Sequence, residues 1–86
     1  MNNEIWIDVR AEDEYAQGHL KDAILIPNEI IEDKIEAAVS DKNTTIRLYC
    51  RTGRRSGIAN DILHGLGYVN ATNEGGYEDL LAKGQS

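Results

Sequence analysis

Apolar residues in this sequence fall into short runs that alternate with segments of helical spacing. The short runs are rich in β-branched and aromatic residues, which is typical of strands. They occupy positions 5–9, 23–26, 45–49 and 68–72. Pro27 ends the second run, because proline has no backbone N–H with which to continue a ladder. The pair Gly75-Gly76 predicts a tight turn after the fourth run.

Helical spacing marks the segments between these runs. After the third run, apolar residues recur one and four positions apart and predict an amphipathic helix with Ser56 as its N-cap. They are Ile58, Ala59, Ile62, Leu63 and Leu66. Another apolar face predicts an earlier helix, capped by Asn28. Its residues are Ile31, Ile35, Ala38 and Val39. Shorter helices are predicted at 12–17 and from Tyr77 onward.

Strands that alternate with helices predict an α/β fold with a small, mainly parallel sheet and helices on both faces. The chain has 86 residues, which suits one domain spanning residues 1–86. In such sheets, ligands bind beyond the carboxyl ends of the strands, where a strand gives way to a helix. Cys50 follows the third predicted strand directly, so we expect it at a position suited to chemistry.

Composition and charge narrow the choice of partner. Hydrophobic residues make up 41% of the chain and charged residues 28%, as in ordinary globular domains. The net charge of −6 argues against nucleic acid or an anionic membrane surface as the main partner. One cysteine and two histidines cannot form an intramolecular disulfide or a typical metal-ligand cluster, so we expect no metal site.

The residues after Cys50 indicate that it is a reactive thiol rather than buried filler. Arg51, Arg54 and Arg55 form a cationic patch, and Gly53 permits a backbone turn that points N–H groups inward as an anion-binding nest. With the start of the following helix, this setting lowers the pKa of a thiol and attracts a small anion. We therefore predict that Cys50 is a nucleophile.

Other titratable residues have simpler interpretations. His19 follows Gly18 in a turn and is predicted to make a structural hydrogen bond, and His64 is predicted on a solvated helix face. Asp8 and Arg10 lie at the end of the first strand and are expected to form an ion pair that ties the strand end to a loop. We assign none of these residues to catalysis.

Several motifs together resemble the rhodanese family of thiosulfate sulfurtransferases. The opening pattern is carried by residues 7–10, 14–15, 18–20, 23 and 26–27, and the closing pattern by residues 67–69 and 75–76. The loop at residues 50–55 resembles the rhodanese active-site loop. The resemblance covers nearly the whole chain and implies a rhodanese-like fold.

The resemblance also implies a mechanism. The Cys50 thiolate would attack the outer sulfur of thiosulfate and become a persulfide, which cyanide or a thiol then collects. Backbone groups of Arg51, Thr52, Gly53, Arg54 and Arg55 would stabilise the persulfide, while the arginine side chains would attract the donor. No cofactor, membrane or nucleic acid is implied, and a monomer is expected. An exported member of the family begins similarly, which suggests the periplasm; the cytoplasm is the alternative if Met1 is the native start.

Two other functions share this cysteine chemistry. The same persulfide could be handed to a protein partner, which would make the protein a sulfur carrier. Related folds act as cysteine-dependent phosphatases or arsenate reductases, but their signature places an arginine six positions after the cysteine, where this chain has Ser56. The shorter loop makes a tighter ring, better sized for a sulfane sulfur than for a phosphoryl group.

Overall fold

A computed structural model describes residues 4–86 and contains one parallel sheet of four strands. The strands lie in the order β2-β1-β3-β4, so β1 and β3 occupy the centre. They are β1 (Glu4–Asp8), β2 (Ile24–Leu25), β3 (Thr45–Cys50) and β4 (Ala71–Gly76). Every pairing is parallel, as the alternation of strands and helices predicts.

Helices cover both faces of this sheet. They are α1 (Glu12–Gln17), α2 (Ile31–Ala38), α3 (Arg54–Gly65) and α4 (Tyr77–Ala82). Ile35 of α2 and Leu63 of α3 pack in the larger core on one face, and Leu80 of α4 packs beside Tyr49 on the other. Among the helices of residues 4–86, none is long and apolar enough to cross a membrane.

The two-residue period of β3 divides its side chains between the two cores. Ile46, Leu48 and Cys50 face α2 and α3, whereas Tyr49 faces α4. All four are fully buried. Strand β3 therefore ends with Cys50 at the carboxyl edge of the sheet.

The predicted fourth strand is wrong in its position. The strand was expected at residues 68–72 with a turn at Gly75-Gly76, but β4 runs from Ala71 to Gly76. A register shift between Leu48 and Tyr49 lets Gly75 and Gly76 pair with the last residues of β3. Tyr68 is buried ahead of the strand, where its hydroxyl donates to the carbonyl of Val39.

The predicted helix caps are also wrong. Helix α3 begins at Arg54, with Gly53 as its N-cap in the left-handed region, so Ser56 is a buried residue of the first turn. A single 3₁₀ turn over Asn28–Ile30 precedes α2, and the Asn28 side chain caps neither element. The second strand is shorter than expected, since only Ile24–Leu25 pair with β1. Both misplaced caps were assigned by residue type alone, which tertiary contacts override.

Candidate active site

Cys50 is the last residue of β3 and lies beside Gly76 of β4. Its side chain is fully buried. The chain turns directly after it, through residues 51–53, into α3. The predicted position of the cysteine, at a strand-to-helix junction on the carboxyl edge of the sheet, is confirmed.

Polar groups of the loop and of the first turn of α3 lie within hydrogen-bond distance of the Cys50 sulfur. The backbone N–H of Gly53 is 3.0 Å from Sγ, and both the backbone N–H and the hydroxyl of Ser56 lie 3.5 Å from it. The two backbone N–H groups belong to the N-cap and the first turn of α3, where backbone N–H groups have no partner within the helix. The sulfur thus occupies the anion site at the start of that helix.

These donors decide the acidity of the thiol. Burial alone raises the pKa of Cys50, because a buried thiolate loses its hydration. Hydrogen bonds from the side chain and backbone of Ser56, and from the backbones of Thr52 and Gly53, outweigh burial, and the pKa is lowered overall. A larger fraction of Cys50 is therefore thiolate at neutral pH than for an ordinary cysteine.

The loop is held in shape by contacts with β4. Gly53 has a φ of +95°, a conformation that other residues rarely adopt. Its carbonyl accepts a hydrogen bond from the side-chain amide of Asn73 at 2.9 Å. A Cβ atom on Gly76 would lie 2.5 Å from the carbonyl oxygen of Arg51, so only glycine allows the loop to rest on the strand.

The three arginines near Cys50 have different environments. Arg51 and Arg54 are exposed, and neither forms an ion pair within residues 4–86. Arg55 is half-buried, and its guanidinium donates to both carboxylate oxygens of Glu14 at 2.8 and 3.0 Å. Two cations are therefore free for an anionic ligand, whereas the third joins α3 to α1.

The pairing with Arg55 lowers the pKa of Glu14 strongly. The Arg55 guanidinium, with a hydrogen bond from the backbone N–H of Ala11, lowers the pKa of Glu14 from its ordinary 4.5 to about 2. The carboxylate is therefore charged at neutral pH and well below it. The sequence placed Glu14 only in the opening pattern of the family resemblance and assigned it no partner, because Arg55 lies 41 positions along the chain.

The predicted roles of Asp8, Arg10 and His19 are confirmed. Arg10 and Asp8 form a buried ion pair with a closest distance of 2.6 Å, and Arg10 also donates to the carbonyl of Gly18. The His19 ring lies 2.9 Å from the carbonyl oxygen of Tyr15 and stacks on its ring. None of the three forms a hydrogen bond with the Cys50 sulfur.

His64 lies on an exposed part of α3, but it is not simply solvated. Its Nε2 lies 2.8 Å from the carbonyl oxygen of Ala71 at the start of β4. This contact joins the end of α3 to β4 and is distant from the loop. Within residues 4–86, no group of three or more histidine, cysteine or acidic side chains is placed to hold a metal ion.

Asn73 is the residue of the site that sequence reasoning missed. Its side-chain oxygen accepts from the Ser56 hydroxyl at 2.6 Å and from the backbone N–H of Gly75 at 3.0 Å, while its amide holds Gly53. It lies on β4, and only the pairing of β3 with β4 brings it to the loop. No local pattern could have indicated this contact.

A cleft of about 390 Å³ opens beside the loop. Arg51 lines it from the loop, and Tyr77 lines it from α4. Acidic residues Asp13, Glu14 and Glu78 form much of the remaining wall. The cleft therefore adjoins the loop through Arg51, and its wall is otherwise mainly acidic.

Comparisons with known proteins agree on the family. The model of the rhodanese-like domain matches residues 1–83. Thiosulfate sulfurtransferase PspE of Escherichia coli is 46% identical over 77 residues, which cover 90% of this chain and 74% of the relative. A solved structure described as a rhodanese with anions, also from E. coli, has a TM-score of 0.85 and 46% identity, with 88% of this chain and 89% of that chain covered.

A second solved structure is a thiosulfate sulfurtransferase from Pseudomonas aeruginosa. It is 31% identical with a TM-score of 0.88, and the match covers 95% of this chain but 16% of that one. The same α/β fold therefore occurs both in a protein of similar length and as a small part of a longer one. The predicted rhodanese-like fold is confirmed.

Proposed function

The chain belongs to the rhodanese-like domain family, and we propose that it is a thiosulfate sulfurtransferase whose transferred sulfur is carried on Cys50. The observation that carries the proposal is the ring of donors around a buried cysteine whose pKa is lowered. Likeness to a named thiosulfate sulfurtransferase over most of the chain supports thiosulfate as the donor.

The first half-reaction is a displacement at sulfur. The Cys50 thiolate attacks the outer sulfur of thiosulfate, a new S–S bond forms, and the old S–S bond breaks with its electron pair leaving on sulfite. One negative charge stays on the outer sulfur of the persulfide, and two leave with the sulfite dianion. The N–H groups that now face Sγ are suited to hold the charge of the persulfide.

The second half-reaction returns the thiolate. A thiophilic acceptor, cyanide or a thiolate, attacks the outer sulfur, and the electron pair of the S–S bond returns to Cys50. No oxidant or reductant is required, because the sulfane sulfur simply changes partner. The cleft beside Arg51 is the approach that we assign to the acceptor.

Arg51 and Arg54 are the side chains that we assign to the thiosulfate dianion, since they are exposed and unpaired within residues 4–86. Arg55 instead orders the first turn of α3 through Glu14, and it adds a fixed positive field near the sulfur. The backbones of Thr52 and Gly53 complete the binding loop. These roles rest on exposure and on the ion pairs described above.

The experiment is turnover of thiosulfate, followed as sulfite and thiocyanate formed with cyanide as acceptor. Cys50→Ser is expected to lower the rate on the order of 10³-fold or more while the protein stays folded. Arg54→Ala is expected to raise the KM for thiosulfate about tenfold, the worth of one charge-assisted hydrogen bond. Unchanged turnover in Cys50→Ser would refute the mechanism.

The same assay separates an enzyme from a carrier. A carrier would release sulfite once, in an amount equal to Cys50, and then stop until a protein acceptor is added. Repeated turnover with cyanide or a small thiol supports the enzyme. We further propose that the protein is periplasmic, as the family resemblance suggests, and that it is a monomer, the default for a small domain; cell fractionation and sedimentation velocity test the two parts separately.

A further inference from the structure

Asn73 and Ser56 form a hydrogen-bonded chain that ends at the reactive sulfur. The Asn73 side chain has a fixed orientation, because its Nδ2 donates to the carbonyl of Gly53 while its Oδ1 accepts from the N–H of Gly75. The oxygen therefore faces Ser56. At 2.6 Å between Ser56 Oγ and Asn73 Oδ1, the hydroxyl proton must lie between them, since an amide oxygen cannot donate.

Ser56 has one hydroxyl proton and two possible acceptors. While that proton points at Asn73, only lone pairs of Oγ face Sγ at 3.5 Å, an arrangement suited to a neutral thiol, which can donate its own proton. A thiolate can only accept. When Cys50 is charged, the hydroxyl must turn from Asn73 to the sulfur in order to stabilise it.

We propose that Asn73 is a positioning residue. Its side-chain oxygen accepts the hydrogen bond of the Ser56 hydroxyl while Cys50 is uncharged, and the hydroxyl turns to donate to Sγ when the sulfur gains negative charge. The inference rests on the proposed function, because it assigns a role in each half-reaction. In the persulfide the charge lies on the outer sulfur, and the hydroxyl returns to Asn73. As the S–S bond breaks, the electron pair that arrives on Sγ draws the hydroxyl back.

This arrangement makes the Cys50 thiol less acidic, which fixes the direction in which its pKa should change when Asn73 is removed. The thiol form keeps the hydrogen bond from Ser56 to Asn73, whereas the thiolate form loses it. Asn73 therefore favours the thiol and raises the pKa of Cys50 relative to a protein that lacks its side chain. Removal of Asn73 could also loosen the loop at Gly53, whose N–H would then donate less well to Sγ. That effect alone would raise the pKa of Cys50.

The other charged groups near the sulfur do not involve Asn73. Arg55 of α3, whose charge interacts with that of Cys50, is paired with Glu14 of α1. Arg51 and Arg54 flank the loop at its exposed side. Glu74 of β4, next to Asn73, is paired with Arg47 of β3. None of these groups hydrogen-bonds to Asn73, so a change in the acidity of Cys50 in Asn73→Ala reports on the Ser56 contact, which lowers the pKa, or on the Gly53 contact, which raises it.

The experiment titrates the thiol itself, through the ultraviolet absorbance of the thiolate, in the full chain without thiosulfate. Asn73→Ala is expected to lower the pKa of Cys50 by about half a unit to one unit, the worth of one hydrogen bond. Asn73 is exposed, so the variant is expected to fold. Asn70→Ala is the matched control and should leave the pKa unchanged, because within residues 4–86 the exposed Asn70 side chain hydrogen-bonds only to the carbonyl of Asn43.

A double-mutant cycle with Ser56→Ala tests whether Asn73 affects the pKa of Cys50 through the Ser56 hydroxyl. Ser56→Ala should raise the pKa of Cys50, and Asn73→Ala should have no further effect in that background. A raised or unchanged pKa in Asn73→Ala alone would overturn the proposal, even if Ser56→Ala did not fold. An equal shift with and without Ser56 would also overturn it. Because no donor is present, these results are independent of whether thiosulfate is a substrate.

Discussion

At the scale of single residues, neighbours of the same type have different roles because of what surrounds them. Arg54 and Arg55 are adjacent, but Arg54 is exposed whereas Arg55 is held by both oxygens of Glu14. A charge that is already paired offers little to an incoming anion, and an exposed one offers its full set of donors. In the loop, Arg55 therefore stabilises the structure, and Arg51 and Arg54 are available to bind an anion.

The Glu14–Arg55 pair predicts a dependence of stability on pH. The folded pKa of Glu14 is about 2 against an ordinary 4.5, so the pair stabilises the fold above pH 4.5 and is lost as the pH falls toward 2. Its side chains are 21% and 34% exposed, and solvent screening limits the contribution to about 1 kcal/mol.

Glu14→Gln keeps an oxygen for the N–H of Ala11 and removes the charge. We expect the variant to be about 1 kcal/mol less stable than the native protein at neutral pH, with the difference shrinking between pH 4.5 and 2. Urea unfolding at both ends of that range measures it. A difference that stays constant with pH would show that the effect is steric rather than electrostatic.

The sequence predicts single residues well where the signal is local. Cys50, Gly53 and the cationic patch lie within six positions, so the nest could be inferred from their order. Asn73 and Glu14 could not be assigned, because strand pairing and helix packing bring them to the loop from distant positions. Ser56 was placed at the correct helix but in the wrong role, since the start of α3 is set by the left-handed conformation of Gly53.

At the scale of elements, the loop depends on the end of β4. Gly76 lies where the carbonyl of Arg51 leaves no room for a side chain. The sequence suggested a tight turn at these glycines, because glycine pairs are typical of turns. Their role is instead close approach of one backbone to another, which the sequence alone does not distinguish from a turn.

Gly76→Ala is expected to push the loop away from β4 and to weaken both stability and catalysis. Overpacking of this kind costs about 1–3 kcal/mol, and displaced donors should lower kcat/KM about tenfold or more. Gly65→Ala, at the end of α3 with nothing within 4 Å, is the matched control and should be neutral or slightly stabilising. Thermal unfolding and turnover of the two variants test this; equal behaviour would contradict it.

At the scale of the whole molecule, charge is unevenly distributed. The net charge is −6, yet the loop presents exposed Arg51 and Arg54 beside the sulfur. The general repulsion between an acidic protein and a dianion is thus opposed by a local attraction at the site. The overall fold was predictable from the alternation of strands and helices, whereas strand order and register depend on packing between distant segments.

The salt dependence of the KM for thiosulfate distinguishes attraction by the loop arginines from repulsion by the net negative charge. If the local cations dominate, the KM for thiosulfate should rise as the Debye length falls from about 10 Å in 0.1 M salt to about 3 Å in 1 M salt. The rate of Cys50 alkylation by neutral iodoacetamide, over the same salt series, controls for changes in the thiol. A KM that falls with salt would show that the net negative charge dominates instead.

The central claim is that Cys50 carries the transferred sulfur, and intact-protein mass tests it most directly. The reduced protein is mixed with thiosulfate, with Cys50→Ser treated in parallel, and both are measured before an acceptor is added. We expect the native protein to gain the mass of one sulfur atom and the variant to gain none. The absence of a gain in the native protein, or an equal gain in both, would contradict the proposed mechanism.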